Sequence, residues 1–119
     1  MNGLMARRVS AFFGFSAVAL GAFGAHGLKS LLADLGTAAN WQTAVLYHLV
    51  HAIALWAIAA REPFLRSAWW AFVIGVTVFS GSLYILSVTG ARWLGAITPI
   101  GGVSLLVGWV LLAMERRRS

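Results

Sequence analysis

Four long stretches of this chain contain no charged residue, and each is long enough to cross a lipid bilayer as a helix. The hydrocarbon core of a bilayer is about 30 Å thick, and an α-helix needs about 20 apolar residues to cross it. Because a backbone in lipid must satisfy its own hydrogen bonds, only helices and closed barrels span membranes. The stretches are apolar throughout rather than alternating, which favours helices. We predict an all-α polytopic membrane protein, a single membrane domain over 1–119 that forms a four-transmembrane-helix bundle with spans at about 9–25, 41–60, 67–89 and 94–114.

The charge pattern supports a membrane location and argues against nucleic-acid binding. Only 10% of the residues are charged, against about 25% in ordinary soluble domains. The net charge is +6, but the basic residues flank the spans, where they set topology and contact anionic lipid. Seven of the nine Lys and Arg residues precede the first span, separate the second from the third, or follow the fourth. By the positive-inside rule, we expect a multi-pass protein of the cell inner (plasma) membrane with both termini in the cytoplasm.

A short amphipathic segment follows the first span. Leucines recur at helical spacing from Leu28 to Leu35, and Lys29 and Asp34 lie opposite them, which predicts a helix over about 28–35. Because this helix is too short to span, we expect it to lie flat in the outer interface between the first two spans. Tryptophan is common at membrane–water interfaces, and five tryptophans are predicted to mark the span edges: Trp41, Trp69, Trp70, Trp93 and Trp109.

Small residues at four-residue spacing predict close helix packing. Examples are Ala71 with Gly75 and Ser104 with Gly108, and this spacing lets helix backbones approach in lipid. Packing within one bundle is favoured over a dimer seam. Proline inside a helix removes a hydrogen bond and bends the axis, so Pro99 is predicted to kink the fourth span as a packing helix. The alternative is an unwound segment there that lines a small polar cavity near the outer leaflet. The residues predicted to serve packing or the kink are Gly21, Gly24, Gly27, Gly81, Pro99, Gly101 and Gly102.

Three histidines in or at the end of the spans are the sharpest candidates for function. His48 and His51 are spaced i, i+3 and share one helix face, while His26 ends the first span. Ionisable residues within spans usually face the bundle interior. Metal binding, haem ligation and proton transfer are open, but hydrogen bonding between helices is favoured because histidine commonly serves that role. The predicted polar cluster comprises His26, His48, His51, Tyr47, Ser80, Ser82, Tyr84 and Thr98.

The sequence contains no pattern typical of an enzyme. It has no nucleophile–base pair, phosphate-binding loop or paired carboxylates, and it has no cysteine for a disulfide or a thiolate metal site. A metal site needs three or four ligands, and the nearest carboxylates, Asp34 and Glu62, belong to loops on opposite sides. We predict no catalytic residue, metal ligand or cofactor. A non-enzymatic structural or accessory protein is favoured, with the lipid bilayer and another membrane protein or itself as partners, and no nucleic acid. The alternative is handling of a small ligand, proton, metal or haem by the polar cluster.

Four motifs, taken in order, resemble a known family. They are GAFGAHGL at 21–28, YHLVHA at 47–52, FSGSLY at 79–84 and TPIGG at 98–102. With these motifs the chain closely resembles, over essentially its whole length, the YgdD/YwdK-like family of small four-helix inner-membrane proteins. This is a domain family of unknown function with a small mitochondrial transmembrane relative in animals. The resemblance implies a four-helix membrane protein and no established activity, with these signature positions: His26, His48, His51, Tyr84 and Pro99.

Overall fold

Four long helices and one short helix form the part of the chain that the structure, a computed structural model, describes, residues 1–116. Four segments are long and apolar enough to cross a membrane, three of them single helices and the fourth a short 3-10 helix followed by the last helix, so the predicted all-α fold with four spans is confirmed. Three residues of the predicted domain, two of them in its C-terminal basic segment, lie outside the described residues: Arg117, Arg118 and Ser119. The helices are α1 (Gly3–Ala25), α2 (Lys29–Leu35), α3 (Ala38–Ala59), α4 (Arg66–Thr89) and α5 (Thr98–Met114), and a short 3-10 helix (Arg92–Ala96) precedes α5.

The helix lengths match the thickness of a bilayer. The longest, α4, has 24 residues and is about 36 Å long at 1.5 Å per residue. That exceeds the roughly 30 Å of a hydrocarbon core, so its ends reach the interfaces. α1 and α3, with 23 and 22 residues, are also long enough to span, and the fourth span reaches 23 residues when the 3-10 helix is counted with α5.

The long helices pack in the order α1, α3, α4, α5. Backbone contacts join α1 to α3, α3 to α4 and α4 to α5, whereas the described backbones of α1 and α5 do not approach each other. The two middle helices are the most buried, and α1 and α5 present most of their surface to the surroundings. The largest buried side chains of the core, Leu55, Trp69 and Phe72, lie towards the loop between α3 and α4. The opposite half of the bundle holds more polar side chains.

A glycine turn joins α2 to α3 at the corner of the bundle. Gly36 ends α2 with φ of 68°, a left-handed conformation that glycine adopts without a steric penalty. The next residue, Thr37, is fully buried, and its hydroxyl donates to the carbonyl oxygen of Ser87 near the end of α4, at 2.6 Å. This bond fixes the short helix against the bundle. The helix predicted over 28–35 is thus present as α2.

Pro99 begins a helix instead of bending one. The sequence predicts one helix over 94–114 with a kink at Pro99, but the structure has the 3-10 helix followed by α5, which starts at Thr98. Proline suits the first turn of a helix because its missing N–H would have no partner there. The predicted kink is therefore wrong, and the break in the fourth span lies before the proline.

Glycine contacts separate the packing positions from the open ones. A Cβ on Gly101 would overlap the backbone of Phe79, and one on Gly24 would overlap the indole of Trp41. The packing role predicted for Gly81 is wrong, because no atom of another helix lies within 4 Å of the Cβ it would carry. A Cβ on Gly21 would meet Val45, one on Gly27 would meet Phe23, and one on Gly102 would meet Phe79. In the two small-residue pairs, Gly75 lies tightly against Leu105 and Gly108 against Phe72.

Candidate functional site

His48 lies at the centre of a chain of hydrogen bonds that joins three helices. Its Nδ1 atom is 2.8 Å from the hydroxyl of Tyr84 on α4. Its Nε2 atom is 3.1 Å from the hydroxyl of Ser16 on α1. Ser16 in turn donates to the carbonyl oxygen of Phe13, one turn earlier, at 3.1 Å. His48 itself is buried.

The bond from Ser16 to Phe13 favours one order of the hydrogen atoms in this chain. A carbonyl oxygen can only accept, so the single hydrogen of Ser16 is used on Phe13. Ser16 must then accept from Nε2 of His48, which leaves Nδ1 to accept from Tyr84. In this order His48 is a neutral imidazole protonated on Nε2, and in either tautomer both of its nitrogen atoms bond hydroxyl groups.

His51 is held by two bonds of its own. Its Nδ1 atom is 2.8 Å from the carbonyl oxygen of Tyr47, one turn earlier. The indole N–H of Trp109 on α5 donates to its Nε2 atom at 3.0 Å. Since an indole only donates and a carbonyl only accepts, this ring is a neutral imidazole protonated on Nδ1. Both nitrogen atoms of His51 are occupied as well.

The serines and the threonine of the predicted cluster form hydrogen bonds that do not involve the histidines. Ser80 donates to the carbonyl oxygen of Ala44 at 2.7 Å, which joins α4 to α3. Ser82 and Thr98 share a hydrogen bond of 2.6 Å that joins α4 to the start of α5. Each of these contacts links two helices, and none reaches an imidazole.

His26 and Tyr47 complete the predicted set without joining a common site. His26 is exposed just beyond the end of α1, where its backbone N–H donates to the carbonyl oxygen of Phe23. The ring of Tyr47 stacks parallel to His51, with centroids 6.2 Å apart, and tilts against Phe79 at 4.6 Å. Seven of the eight predicted residues are thus distributed over separate interhelical contacts. The eighth, His26, takes part in none of them.

The tryptophans supply contacts that the sequence analysis missed. Trp41, Trp69 and Trp109 are predicted to mark membrane interfaces, but each donates its indole N–H to another helix. Trp41 bonds the carbonyl oxygen of Leu20 at 3.0 Å, and Trp69 bonds the hydroxyl of Ser10 at 3.0 Å. Trp70 and Trp93 are exposed, as an interfacial position requires.

Two signals point to the missed residues. Trp109 lies five residues before the end of α5, which ends at Met114. Ser10 and Ser16 are hydroxyls in the apolar first span, and a polar group in lipid must find a partner. Among residues 1–116, every buried side-chain nitrogen and oxygen atom has one.

An open groove of about 560 Å³ lies on another part of the surface, between α1, α2 and α3. Its walls are almost entirely apolar and include Gly21 and Gly24 of α1, Leu32 of α2 and Leu49 of α3. Lys29, at the start of α2, is the one charged residue in the lining. None of the buried histidines contributes to it.

Metal-ligand side chains do not gather anywhere within the described part of the chain. No three His, Cys, Asp or Glu residues among residues 1–116 lie in an arrangement that could hold a metal ion. The ion pair between Arg61 and Glu115, at 3.1 Å, joins the loop after α3 to the end of α5. It is half exposed on the arginine side and lies at the bundle end.

The sequence is similar to a family that is described as a protein of unknown function, DUF423, over residues 20–102. It is 44% identical to the UPF0382 membrane protein YwdK of Bacillus subtilis, over 82% of this chain and 84% of that protein. A UPF0382 membrane protein of Haemophilus influenzae is 42% identical over 92% of this chain and 90% of its own length. The UPF0382 membrane protein C1782.12c of Schizosaccharomyces pombe is 34% identical over 87% and 94% of the two chains. No solved structure matches. The chain belongs to the DUF423 family, a multi-pass membrane protein family of unknown function, and the predicted resemblance is confirmed.

Proposed function

We propose that this DUF423 protein is a non-enzymatic accessory protein of the cell inner (plasma) membrane, with both termini in the cytoplasm. It acts by binding lipid or another membrane protein, including a second copy of itself, through its outer surface. Its buried polar residues hold the helices in place. The bilayer is its environment and its first partner.

The observation that carries this proposal is the full use of both buried imidazoles. A histidine that binds a metal or haem iron, or that accepts a proton, needs a nitrogen atom with a free lone pair. In His48 both nitrogen atoms bond hydroxyl groups, of Ser16 and Tyr84, and in His51 the accepting nitrogen is taken by Trp109. Recruiting either ring for chemistry would break a bond between helices. These contacts are the kind that stabilise helix association in membranes, about 0.6 kcal/mol each on average.

The distribution of acidic residues supports a role without proton coupling. Proton-coupled carriers commonly place Asp or Glu within their spans. The three acidic residues of this chain lie outside the long helices, Asp34 in α2, Glu62 in the loop after α3 and Glu115 just after α5. The hydrogen-bond chain through His48 also ends on a backbone carbonyl, which cannot pass a proton onward.

The proposed orientation is supported by charge and by contacts at one end of the bundle. The N-terminus, the loop after α3 and the end of α5 share that end, because Glu62 lies beside Gly3 and Arg61 pairs with Glu115. These three segments hold most of the Lys and Arg residues, and basic segments are retained in the cytoplasm.

Proton flux tests the assignment of the histidine chain to packing. The protein is reconstituted into liposomes that contain a pH-sensitive dye, and Tyr84→Phe removes the hydroxyl that bonds His48. We expect no flux above protein-free liposomes for either protein, and a lower stability for the variant. A flux in the wild type that Tyr84→Phe abolishes would show that the chain carries protons.

Cysteine labelling tests the orientation, because the chain has no cysteine of its own. Ser30→Cys and Glu62→Cys place single thiols at opposite ends of the bundle. A membrane-impermeant thiol reagent added to intact cells should label the first and spare the second. The reverse pattern would invert the topology.

A further inference from the structure

The groove between α1, α2 and α3 combines an apolar wall with a single cation at its mouth. Twelve residues line it, and Lys29 is the only charged one. In the described part of the chain, no carboxylate forms an ion pair with Lys29. Gln42, near the start of α3, adds an amide to the lining. A ligand that fits this lining has a hydrocarbon portion and an anionic group.

The depth of the groove matches one leaflet of a bilayer. Its wall on α3 runs from Ala38, the first residue of the helix, to Leu49. That segment is about 16 Å long at 1.5 Å per residue, and one half of the hydrocarbon core is about 15 Å thick. The groove therefore starts at the interface and ends near the middle of the bilayer. This is the path that an acyl chain takes when its headgroup lies at the interface.

Local packing leaves the groove wide enough for an acyl chain and open at the protein surface. Gly21 and Gly24 of α1 line it without side chains, while Trp41 is fixed beneath by its bond to Leu20. Several lining positions, including Ala25 and Leu46, are exposed at the protein surface. In a spanning protein the medium at that surface is lipid. The volume of about 560 Å³ falls within the range of roughly 300–1,000 Å³ that is typical of ligand pockets.

We infer that this groove binds one acyl chain of an anionic phospholipid, whose phosphate pairs with the ammonium group of Lys29. The inference rests on the proposed accessory role and names its ligand class. Gln42 is placed to donate to an ester or headgroup oxygen of the same lipid. The apolar wall gives affinity for any phospholipid chain, and Lys29 gives the preference for negative charge.

Lipid binding measured by native mass spectrometry tests this inference on the whole protein in detergent. The probes are phosphatidylglycerol and phosphatidylcholine with identical acyl chains. We expect one bound lipid and a preference for phosphatidylglycerol. Lys29→Gln should weaken phosphatidylglycerol binding about fivefold, which corresponds to about 1 kcal/mol per basic residue at a membrane surface. Arg92→Gln removes a positive charge from the same end of the bundle outside the groove and should leave binding unchanged.

A second pair of variants tests the apolar wall. Ala25→Phe fills the groove from an exposed lining position and should weaken binding of both lipids. Ala22→Phe adds the same ring at an exposed position of α1 outside the lining and should not.

Four results would overturn the inference. They are equal effects of Lys29→Gln and Arg92→Gln, full lipid binding by Ala25→Phe, competition by inorganic phosphate alone, and a dimer that only Ala25→Phe dissociates. The third would assign the cation to a free anion, and the fourth would assign the groove to a second copy of the chain. All four are independent of the proton-flux result, so failure of the lipid assignment is distinguishable from failure of the proposed function.

Discussion

Replacing Gly101 by alanine tests whether the contact between α4 and α5 depends on the missing Cβ. A Cβ at this position would lie 2.8 Å from the Cα atom of Phe79 and 2.9 Å from the carbonyl oxygen of Gly75. Both neighbours are backbone atoms, so no side-chain rotation relieves the overlap, and the two helices must separate. Overpacking costs about 1–3 kcal/mol, whereas alanine in place of glycine within a helix gains about 0.5–1 kcal/mol. We expect Gly101→Ala to lower the free energy of unfolding by roughly 1–2 kcal/mol.

Gly81→Ala is the matched control, because it makes the same change on α4 with no atom within 4 Å of the new Cβ. It should keep or raise the stability. Unfolding of both variants is followed by tryptophan fluorescence as sodium dodecyl sulfate is added to protein in mild detergent. The midpoint of Gly101→Ala should fall, and that of Gly81→Ala should stay where it is or rise. If Gly101→Ala is as stable as Gly81→Ala, the close approach of the helices does not limit stability and the reasoning is wrong.

Two further substitutions address the hydrogen bonds and the surface charge. Trp69→Phe removes the N–H that bonds Ser10 within a fully buried site. We expect the free energy of unfolding to fall by about 1–3 kcal/mol, because the change leaves a small void and a hydroxyl without its donor. An unchanged unfolding midpoint would refute a role for this bond. Arg61→Gln removes the half-exposed ion pair at the end of the bundle. It should lower the free energy of unfolding by at most about 1 kcal/mol, and this effect should disappear at high salt. A large loss of stability that salt does not alter would contradict this.

The number of spans could be predicted because bilayer thickness fixes the length of an apolar run that crosses it, although α1 begins earlier than the predicted span and the fourth span is divided. A charge-free run of about 20 residues has one outcome in lipid, and the spans at 41–60 and 67–89 match α3 and α4 closely. The short helix α2 was equally clear, since its leucines follow a helical period and Gly36 ends it.

The rotation of each helix about its axis could not be predicted from the same pattern. These spans are apolar on every side, so no polar face shows which side turns inward. Gly81 and Gly101 look alike in sequence, yet only Gly101 meets another backbone. His26 and His48 are both imidazoles, but His26 is exposed just beyond the end of its helix whereas His48 is buried.

The length of a side chain also decides contacts that the spacing of residues in the sequence does not reveal. The backbones of α3 and α5 do not adjoin, yet the long indole of Trp109 crosses the gap to His51. Trp69 similarly reaches Ser10 from α4 to α1. Tryptophan is read as an interfacial residue in sequence because one end of its ring is polar, and the same polar end serves here as a bond between helices.

The most direct test of the packing role of the histidines is a double-mutant cycle on His48 and Tyr84. Tyr84→Phe deletes only the hydroxyl that is 2.8 Å from Nδ1, and His48→Leu removes the imidazole. The free energy of unfolding is measured for the wild type, both single variants and the double variant. If the pair stabilises the bundle, the coupling energy is favourable, at about 0.6–1.7 kcal/mol, as for other interhelical hydrogen bonds in membranes. A coupling energy of zero, with Tyr84→Phe as stable as the wild type, would contradict it.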